Sequence, residues 1–216
     1  EDLTLEKRVS ITPETAKNIM GLGLKVCIEK DYATHLGIDD NEYKKTGVEI
    51  KNSSSEVLNS CNLIIKVNCP SENETSLLKE KTILIGMLNP SKNKVQIDKI
   101  IKKKIKTFSL ELLPRITRAQ SMDVLSSQSN LAGYRAVIDC VAEFEKAVPM
   151  MMTAAGTVPA AKVLVIGAGV AGLQAVATAK RLGAIVSATD VRAASKEQVE
   201  SLGGKFLTVE TKEDME

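Results

Sequence analysis

Tryptophan is absent from this sequence of 216 residues, aromatic residues make up only 3% of it, and histidine occurs once. A hydrophobic core must therefore be built mainly from Ile, Leu, Val, Met and Ala. Histidine is the side chain most often used as a general acid or base, so catalysis of that kind has one candidate, His35. Because Leu36 and Gly37 follow it in a turn-like segment, we expect His35 to lie in a surface loop.

A large excess of charge is also missing. The 29 basic and 27 acidic residues leave a formal net charge of +2, which gives no electrostatic reason to expect nucleic acid or a membrane surface as a partner. The 44% hydrophobic content is ordinary for a folded globular protein. No signal peptide is visible, and position 1 is Glu rather than Met.

Cysteine pairs with metal-binding spacing are not found either. The four cysteines are Cys27, Cys61, Cys69 and Cys140, and no two of them form a CxxC pair. We therefore expect no metal site and a reduced, cytosolic setting. Cys27 and Cys140 lie in apolar periodic runs, which predicts that both are buried. The run Met150-Met151-Met152 is typical of adaptable packing.

Short apolar strands alternate with helix-forming runs over residues 1–110, a pattern typical of a parallel α/β sheet. The first helix has a clear start, with Thr12 as N-cap and Pro13 at the first helical position. The run Lys102-Lys103-Lys104 is a phosphate-binding candidate, but a solvated helix end is the simpler interpretation. The predicted strands are 25–29, 63–67, 82–87 and 107–110, and the predicted helices are 13–20, 53–59, 76–79 and 95–103.

A helical apolar pattern over residues 125–147 is long enough to connect two α/β units across a cleft. We predict an N-terminal Rossmann-like unit at 1–124, a linking helix at 125–148 and a nucleotide-binding Rossmann unit at 149–216. After a further helix at about 193–202 and a strand near Phe206 the sequence stops, although two more strands are usual in such a sheet. We therefore expect a fragment that is truncated at both ends.

The most informative segment is 162–192. An apolar strand, 163–166, leads into Gly167-Ala168-Gly169-Val170-Ala171-Gly172, and a helix-forming run and a second apolar strand follow. This order is the context that a dinucleotide-binding fingerprint requires. Gly167 would permit the tight turn, Gly169 would let the backbone approach a pyrophosphate, and Gly172 would let the helix and strand pack closely. The helix N-terminus would offer N–H groups and a positive dipole end to the phosphates.

This segment has two other interpretations, a purely structural turn and a membrane span. A glycine-rich turn can begin an ordinary helix without binding a nucleotide. Residues 163–179 contain no charge and resemble a membrane span, but they are shorter than the ~20 residues that a span needs. They also contain three glycines and are bounded by Lys162 and Lys180. A buried parallel strand and its helix explain them better.

Asp190 follows the second apolar strand. At that position a carboxylate can accept hydrogen bonds from the hydroxyls of the adenosine ribose, and it would repel a 2′-phosphate. The sequence therefore favours NAD(H) over NADP(H) as the ligand.

A polar segment, 114–123, lies between the last strand of the first unit and the long helix. It holds two arginines, a glutamine, an aspartate and several hydroxyl groups. An exposed polar loop is the simplest interpretation of such a composition. Its position along the chain, however, predicts that it ends at the cleft and faces the glycine-rich turn.

Three stretches carry a family resemblance. They read RITRAQSMDVLSSQSNLAGYRAV (115–137), GAGVAGLQAVATAKRLGAIVSATDVRAASKEQVESLGGKF (167–206) and EKRVSITPE (6–14). The first two resemble the NAD(H)-binding component of proton-translocating NAD(P) transhydrogenases, the soluble domain of their alpha subunit. The third resembles an opening motif that this family shares with alanine dehydrogenases. The resemblance covers essentially the whole chain, and the stretch from Arg115 to Ser126 is more specific than the glycine fingerprint.

The resemblance implies roles for individual residues. Arg115, Gln120, Asp123 and Ser126 would position the nicotinamide and its ribose, with Gln120 and Asp123 as the catalytic candidates. Residues 167–170 would line the pyrophosphate, and residues 190–192 the adenosine ribose. The full set of implied cofactor-binding residues is Arg115, Ile116, Thr117, Arg118, Gln120, Asp123, Ser126, Gly167, Ala168, Gly169, Val170, Gly172, Asp190, Val191 and Arg192.

The resemblance also implies an assembly. The complete domain would contain two Rossmann-like units and form a homodimer. It would dock on a separate domain that binds NADP(H), which sits on a membrane proton-channel subunit. NAD(H) would thus be bound by this chain and NADP(H) by its partner, at the cytoplasmic face of the inner membrane.

The chemistry of the two reactions distinguishes a transhydrogenase from an alanine dehydrogenase. Reductive amination of a keto acid needs an acid/base group, and alanine dehydrogenases by resemblance use a lysine and a histidine, with an arginine for the carboxylate. Arg8 and Lys66 match, but residues 85–90 (IGMLNP) contain no histidine. Hydride exchange between two nicotinamides needs no such group, which favours transhydrogenase. An alanine dehydrogenase-like enzyme, or an NAD-binding fragment that is inactive alone, remain the alternatives.

Overall fold

The computed structural model describes residues 1–208, which form two compact units, Glu1–Asp123 and a second that begins at Val124. Each unit combines parallel strands with helices, so the predicted α/β fold class with parallel sheets is confirmed. Residues 209–216, where we expected the truncated end of the second unit, lie outside the described residues.

The first unit contains two parallel sheets. Strand β1 pairs with β2, and a three-stranded sheet has the order β3-β4-β5. The helices of the unit are α1 (Pro13–Gly21), α2 (Asp40–Lys45), α3 (Ser54–Ser60), α4 (Glu72–Leu77) and α5 (Lys94–Lys102), and its strands are β1 (Cys27–Glu29), β2 (Glu49–Lys51), β3 (Leu63–Asn68), β4 (Ile83–Met87) and β5 (Lys106–Ser109). Short 3-10 helices lie at Thr34–Leu36, Leu110–Leu112 and Thr117–Met122.

Apolar side chains of these elements form two cores in the first unit. One surrounds the β1–β2 sheet and contains Ile28 and Tyr43, whose hydroxyl donates to the Ile11 carbonyl at 2.8 Å. The other lies against the β3-β4-β5 sheet and contains Leu84 and Ile100. The scarcity of aromatic residues therefore leaves a core made mainly of aliphatic side chains, as predicted.

Capping boxes start three of the five helices. In α1 the Thr15 amide donates to the Thr12 hydroxyl at 3.3 Å, and the Thr12 amide donates to the Thr15 hydroxyl at 2.6 Å. Asp39 with Glu42 starts α2, and Ser71 with Glu74 starts α4. The prediction missed α2 and placed α4 too late, at 76–79, because it followed apolar periodicity and overlooked these caps.

Lys103 is half-buried, and its ammonium is held by backbone carbonyls rather than left available as a phosphate ligand. It donates to the carbonyl oxygens of Thr75, Ser76 and Leu78, at 3.0, 2.5 and 3.1 Å. These are carbonyls at the C-terminal end of α4, where helix carbonyls lose their i+4 donors, and the Thr75 carbonyl also accepts from the Leu78 amide at 3.3 Å. Lys103 therefore caps a helix more than twenty residues away along the chain, whereas Lys104 pairs with the exposed Glu80.

The second unit is a three-stranded parallel sheet with helices and a separate hairpin. The sheet has the order β10-β9-β8, and β6 pairs with β7 in antiparallel fashion. Its helices are α6 (Val124–Glu143), α7 (Val170–Arg181) and α8 (Ser195–Ser201), and its strands are β6 (Met151–Thr153), β7 (Gly156–Val158), β8 (Lys162–Ile166), β9 (Ile185–Thr189) and β10 (Lys205–Phe206).

The charge-free run 163–179 is thus most of β8, the glycine-rich turn and most of α7. Within residues 1–208, none of the helices is long and apolar enough to cross a bilayer. The strand-and-helix interpretation of this run is confirmed.

Three predictions for the second unit are wrong. The long helix ends at Glu143 rather than at 147, because the chain must turn and extend before Pro149 so that Val148 can enter the core and accept from the Ala161 amide at 2.9 Å. Cys140 is exposed on α6 rather than buried. The three methionines stand exposed on and beside the β6–β7 hairpin rather than packed, with Met152 76% exposed.

Replacing Lys103 with Met should destabilise the first unit by about 1–3 kcal/mol, because the carbonyls of Thr75, Ser76 and Leu78 lose the ammonium that they share. Urea unfolding followed by circular dichroism measures the effect. Lys102→Met, at an exposed position next to it, is the matched control and should change the unfolding free energy by less than about 0.5 kcal/mol. Equal effects of the two substitutions would show that Lys103 does not act as a cap.

Candidate functional site

The turn between β8 and α7 has the geometry of an anion-binding turn. Gly167 has a φ of +93°, in the left-handed region that favours glycine. Its amide donates to the Thr189 carbonyl at 2.8 Å, which ties the turn to the end of the neighbouring strand β9. A Cβ atom at Gly172 would lie only 1.8 Å from the Gly167 carbonyl oxygen, so the helix packs directly on the turn.

Gly169 is the N-cap residue of α7 and has an extended backbone, with φ −77° and ψ −169°. No side chain caps this helix. A Cβ atom at Gly169 would meet no other heavy atom within 4 Å, so the space in front of the helix N-terminus is open. The helix start can therefore present its N–H groups and its positive dipole end to an anion placed there.

Asp190 joins the second strand to this turn. One carboxylate oxygen accepts from the Ala168 amide at 2.7 Å, and the other accepts from the Arg192 amide at 2.8 Å. The Arg192 guanidinium donates to both oxygens, at 3.0 and 3.2 Å. These bonds, first of all those from the Arg192 side chain, hold the pKa of Asp190 well below its usual range. A charged acceptor is therefore fixed beside the glycine turn at all physiological pH values.

The residues around Asp190 differ strongly in exposure. The Asp190 side chain is 6% exposed and the Arg192 side chain 62%, while Val191 is almost fully exposed. The guanidinium also lies 3.4 Å from the Ala168 carbonyl oxygen, so Arg192 contacts both Asp190 and the glycine turn. The whole group lies at the carboxyl ends of parallel strands, where open α/β sheets bind ligands.

Most side chains of the polar segment are exposed. Thr117–Met122 form a 3-10 helix anchored by the buried Ala119, and the Asp123 amide donates to the Gln120 carbonyl at 3.2 Å. The exposed residues of this segment are Pro114, Arg115, Ile116, Thr117, Arg118, Gln120, Ser121 and Met122. Asp123 is half-buried at the end of the first unit, and Ser126 is half-buried in the first turn of α6, in the second unit.

The predicted site residues thus divide into two groups. Within the second unit the structure brings together the glycine turn, Ala168, Asp190 and Arg192 through the hydrogen bonds above. The residues 115–123 form one exposed ridge on the first unit. That this ridge faces the glycine turn stays a prediction, as do the binding roles of all these residues.

One residue next to the glycine turn was not predicted from the sequence. Gly133 of α6 is buried against Ala171, in the first turn of α7. A glycine inside a long helix lowers the stability of the helix by about 1 kcal/mol relative to alanine. Its presence in the predicted long helix therefore indicates a close backbone contact, which is the signal that could have identified Gly133.

The two residues that match alanine dehydrogenases are both held in ion pairs. The Arg8 guanidinium donates to both carboxylate oxygens of Glu6, at 2.8 and 2.6 Å. This pairing lowers the pKa of Glu6 to about 2. Lys66 donates to Glu74. Burial alone would raise the pKa of Glu74, but the hydrogen bonds from Lys66 and Ser71 outweigh it and lower that pKa.

The histidine lies next to the first of these pairs, because it contacts the backbone of Lys7, the residue between Glu6 and Arg8. His35 is exposed in the 3-10 helix Thr34–Leu36, with Nε2 2.7 Å from the Lys7 carbonyl oxygen. This location confirms the expectation of a surface position. At the end of β4, Asn89 has a left-handed backbone and its amide donates to Glu111 at 2.6 Å.

Comparison with known proteins gives a consistent family match. Residues 1–132 match the family model described as "Alanine dehydrogenase/PNT, N-terminal domain", and residues 136–216 match "Alanine dehydrogenase/PNT, C-terminal domain". The chain is 53% identical to an NAD(P) transhydrogenase alpha-subunit polypeptide of Rhodospirillum rubrum, over 95% of this chain and 55% of that protein. It is 30% identical to an alanine dehydrogenase of Methanococcus maripaludis, over 94% of this chain and 55% of that protein.

A solved structure shows the same similarity. The transhydrogenase of Sinorhizobium meliloti superposes with a TM-score of 0.92 at 50% identity, covering 96% of this chain and 62% of that one. The chain therefore spans about half the length of the curated relatives it matches.

The Glu6–Arg8 ion pair should make the free energy of unfolding depend on pH in the acid range. Because folding lowers the pKa of Glu6 from 4.5 to about 2, its contribution is complete above the unfolded value and is lost as the pH falls through the folded value. Glu6→Gln should therefore destabilise the protein at pH 7, and the difference from wild type should shrink between about pH 4.5 and 2. Thermal unfolding across this range measures it. Glu145→Gln, at an exposed site, is the control, and a pH-independent effect of Glu6→Gln would contradict the assignment.

Proposed function

The chain belongs to the alanine dehydrogenase/PNT family, and we propose that it is the NAD(H)-binding component of a proton-translocating transhydrogenase. In this proposal it holds NADH while hydride passes to NADP⁺ bound on a partner domain. The 53% identity to a transhydrogenase subunit, against 30% to an alanine dehydrogenase, supports this choice within the family.

The observation that carries the nucleotide assignment is the placement of Asp190. Its carboxylate is fixed by the Ala168 amide, one residue after the first glycine of the turn. A ribose lying along the end of β9 can donate its hydroxyls to this carboxylate, whereas a 2′-phosphate would meet a second negative charge at close range. Arg192 already neutralises some of that charge, so we expect a preference for NAD(H) rather than complete exclusion of NADP(H).

The glycine turn fits a pyrophosphate for two reasons. The space in front of Gly169 is open and the helix start is uncapped by any side chain. Two phosphates can therefore approach the turn and accept hydrogen bonds from the N–H groups of Gly169 and Val170, since those of Gly167 and Ala168 already donate to Thr189 and Asp190. The same residues would leave no room for a phosphate if a branched side chain replaced Gly169.

For the nicotinamide end we propose the ridge formed by residues 115–123, together with Ser126. Gln120 and Asp123 would contact the nicotinamide, and Arg115, Ile116, Thr117, Arg118 and Ser126 would hold its ribose and amide. The exposure of Arg115, Arg118 and Gln120 supports this role, since these polar side chains face solvent. Orientation by such groups is what hydride transfer requires of a protein.

The reaction NADH + NADP⁺ → NAD⁺ + NADPH moves one hydride and no substrate proton. When bound, NADH supplies that hydride. The residues of this chain would only have to hold the reacting ring within near-attack distance of its partner and keep water out. The engagement of Arg8 and Lys66 in ion pairs supports this view, because neither is poised to bind a keto acid or to transfer a proton.

The other elements of the proposal concern the assembly. We propose that NADP(H) is bound by a partner domain, that a membrane proton-channel subunit completes the enzyme, and that the complete domain is a homodimer. The protein would then be peripheral to the cytoplasmic face of the inner membrane. The names of the relatives, which are subunits of transhydrogenases, support these partners.

Hydride transfer between nucleotides tests the proposal directly. The protein expressed from its complete reading frame is mixed with the NADP(H)-binding domain, and reduction of NADP⁺ by NADH is followed by stopped flow. Transfer between the two nucleotides is the expected result. No transfer, together with NADH oxidation that depends on pyruvate and ammonium, would identify an amino acid dehydrogenase instead.

Gly169→Val should abolish NADH binding while leaving the fold intact, because its φ of −77° suits any residue and its Cβ meets no protein atom. Gly172→Ala is the contrasting variant, since its methyl group collides with the Gly167 carbonyl and should lower the melting temperature. Fluorescence titration with NADH and thermal unfolding separate the two effects. Unchanged NADH affinity in Gly169→Val would mean that the turn is only structural.

Gln120→Ala should slow hydride transfer more than it weakens NADH binding. The reason is that Gln120 would orient the reacting ring, and small misplacements can cost about a hundredfold in rate. Single-turnover kinetics give the rate and titration gives the dissociation constant. Arg181→Ala, an exposed residue in the last turn of α7, serves as the control. Equal losses in rate and affinity for Gln120→Ala would count against the orienting role.

A further inference from the structure

Gly133 makes a backbone contact that connects two helices of the second unit. It lies near the middle of α6 and is buried. A Cβ atom at this position would lie 2.0 Å from the Ala171 carbonyl oxygen, 2.8 Å from its carbonyl carbon and 2.9 Å from its Cα. No side chain larger than hydrogen fits between α6 and α7 at this point.

The contact falls on the first turn of α7, which begins at Val170. The adjacent residue, Gly172, packs against the Gly167 carbonyl on the turn itself. The first turn of α7 is therefore held between α6 and the glycine turn, by backbone on both sides. Neither contact involves a side chain, so a change of rotamer cannot compensate for a movement of one helix relative to the other. A displacement of α6 should therefore displace the start of α7 as well.

Helix α6 also begins directly after the polar ridge. Its first residue, Val124, follows Asp123, and Ser126 lies in its first turn. Gly133 lies seven residue steps after Ser126 along the helix, which corresponds to roughly 10 Å. Within the second unit, one helix thus runs from Ser126, which is proposed for the nicotinamide ribose, to the contact with the start of α7.

We infer that Gly133 is a positioning residue for NAD(H), which sets the distance between Ser126 and the start of α7 through its contact with Ala171. This inference rests on the proposed function, in which the two places bind the two ends of one nucleotide. A methyl group at position 133 needs more than about 3 Å from the Ala171 oxygen, so the helices would separate by about 1 Å. The bound nucleotide would then fit one end of its site at the expense of the other.

Gly133→Ala in the protein expressed from its complete reading frame tests the inference. Val137→Ala is the matched control, because Val137 is buried one turn later on α6, in the same core as Val176 of α7. Its cavity lowers stability without pushing the helices apart. NADH fluorescence titrations give the dissociation constants. Amide chemical shifts of residues 167–172 report the position of the turn.

The expected result is that Gly133→Ala raises the NADH dissociation constant at least about tenfold and moves the amide shifts of 167–172. Val137→Ala should keep both within about twofold at a similar loss of melting temperature. Equal dissociation constants for wild type and Gly133→Ala, or equal losses in the two variants, would overturn the positioning role. If wild type itself binds no NADH, the proposed function fails instead. Should Gly133→Ala fold poorly, the same comparison is made in trimethylamine N-oxide, which stabilises folded proteins by exclusion from their surface.

Discussion

The close packing of Gly172 on the Gly167 carbonyl is the constraint on which the second unit depends. A Cβ at 1.8 Å from that oxygen is impossible, so the helix can follow the strand this tightly only with glycine at 172. The same short turn brings the Ala168 amide to Asp190 and the Gly167 amide to Thr189. The turn, the end of β9 and the start of α7 therefore form one unit, and its open side lies in front of Gly169.

The sequence was most informative where structure is decided locally. A strand that runs into glycines and then a helix has few other conformations, and Asp190 could be placed because it ends the next strand. The capping pairs at Asp39 and Ser71 were equally local but were overlooked. Lys103 could not be predicted, because its partners Thr75, Ser76 and Leu78 lie at the end of another helix. Cys140 is exposed although the apolar pattern predicted that it is buried. Apolar periodicity thus identified the helix correctly but not which of its side chains are buried.

The chemistry of the family explains how the two kinds of enzyme can share a fold. Amino acid dehydrogenation needs groups that bind a carboxylate and move protons, whereas exchange of hydride between nucleotides needs only orientation. In this chain Arg8 is held by Glu6 and Lys66 by Glu74, and residues 85–90 contain no histidine. In the proposed function Arg8 and Lys66 therefore serve as members of internal ion pairs and bind no substrate.

We propose that Asp190, fixed beside the glycine turn, makes this chain the NAD(H) side of a hydride exchange. Equilibrium dialysis of the protein against NADH and NADPH under identical conditions tests that claim most directly, because the two nucleotides differ only in the 2′-phosphate that would face the Asp190 carboxylate. The account predicts a clearly lower dissociation constant for NADH. Equal binding of the two nucleotides, or tighter binding of NADPH, would contradict it.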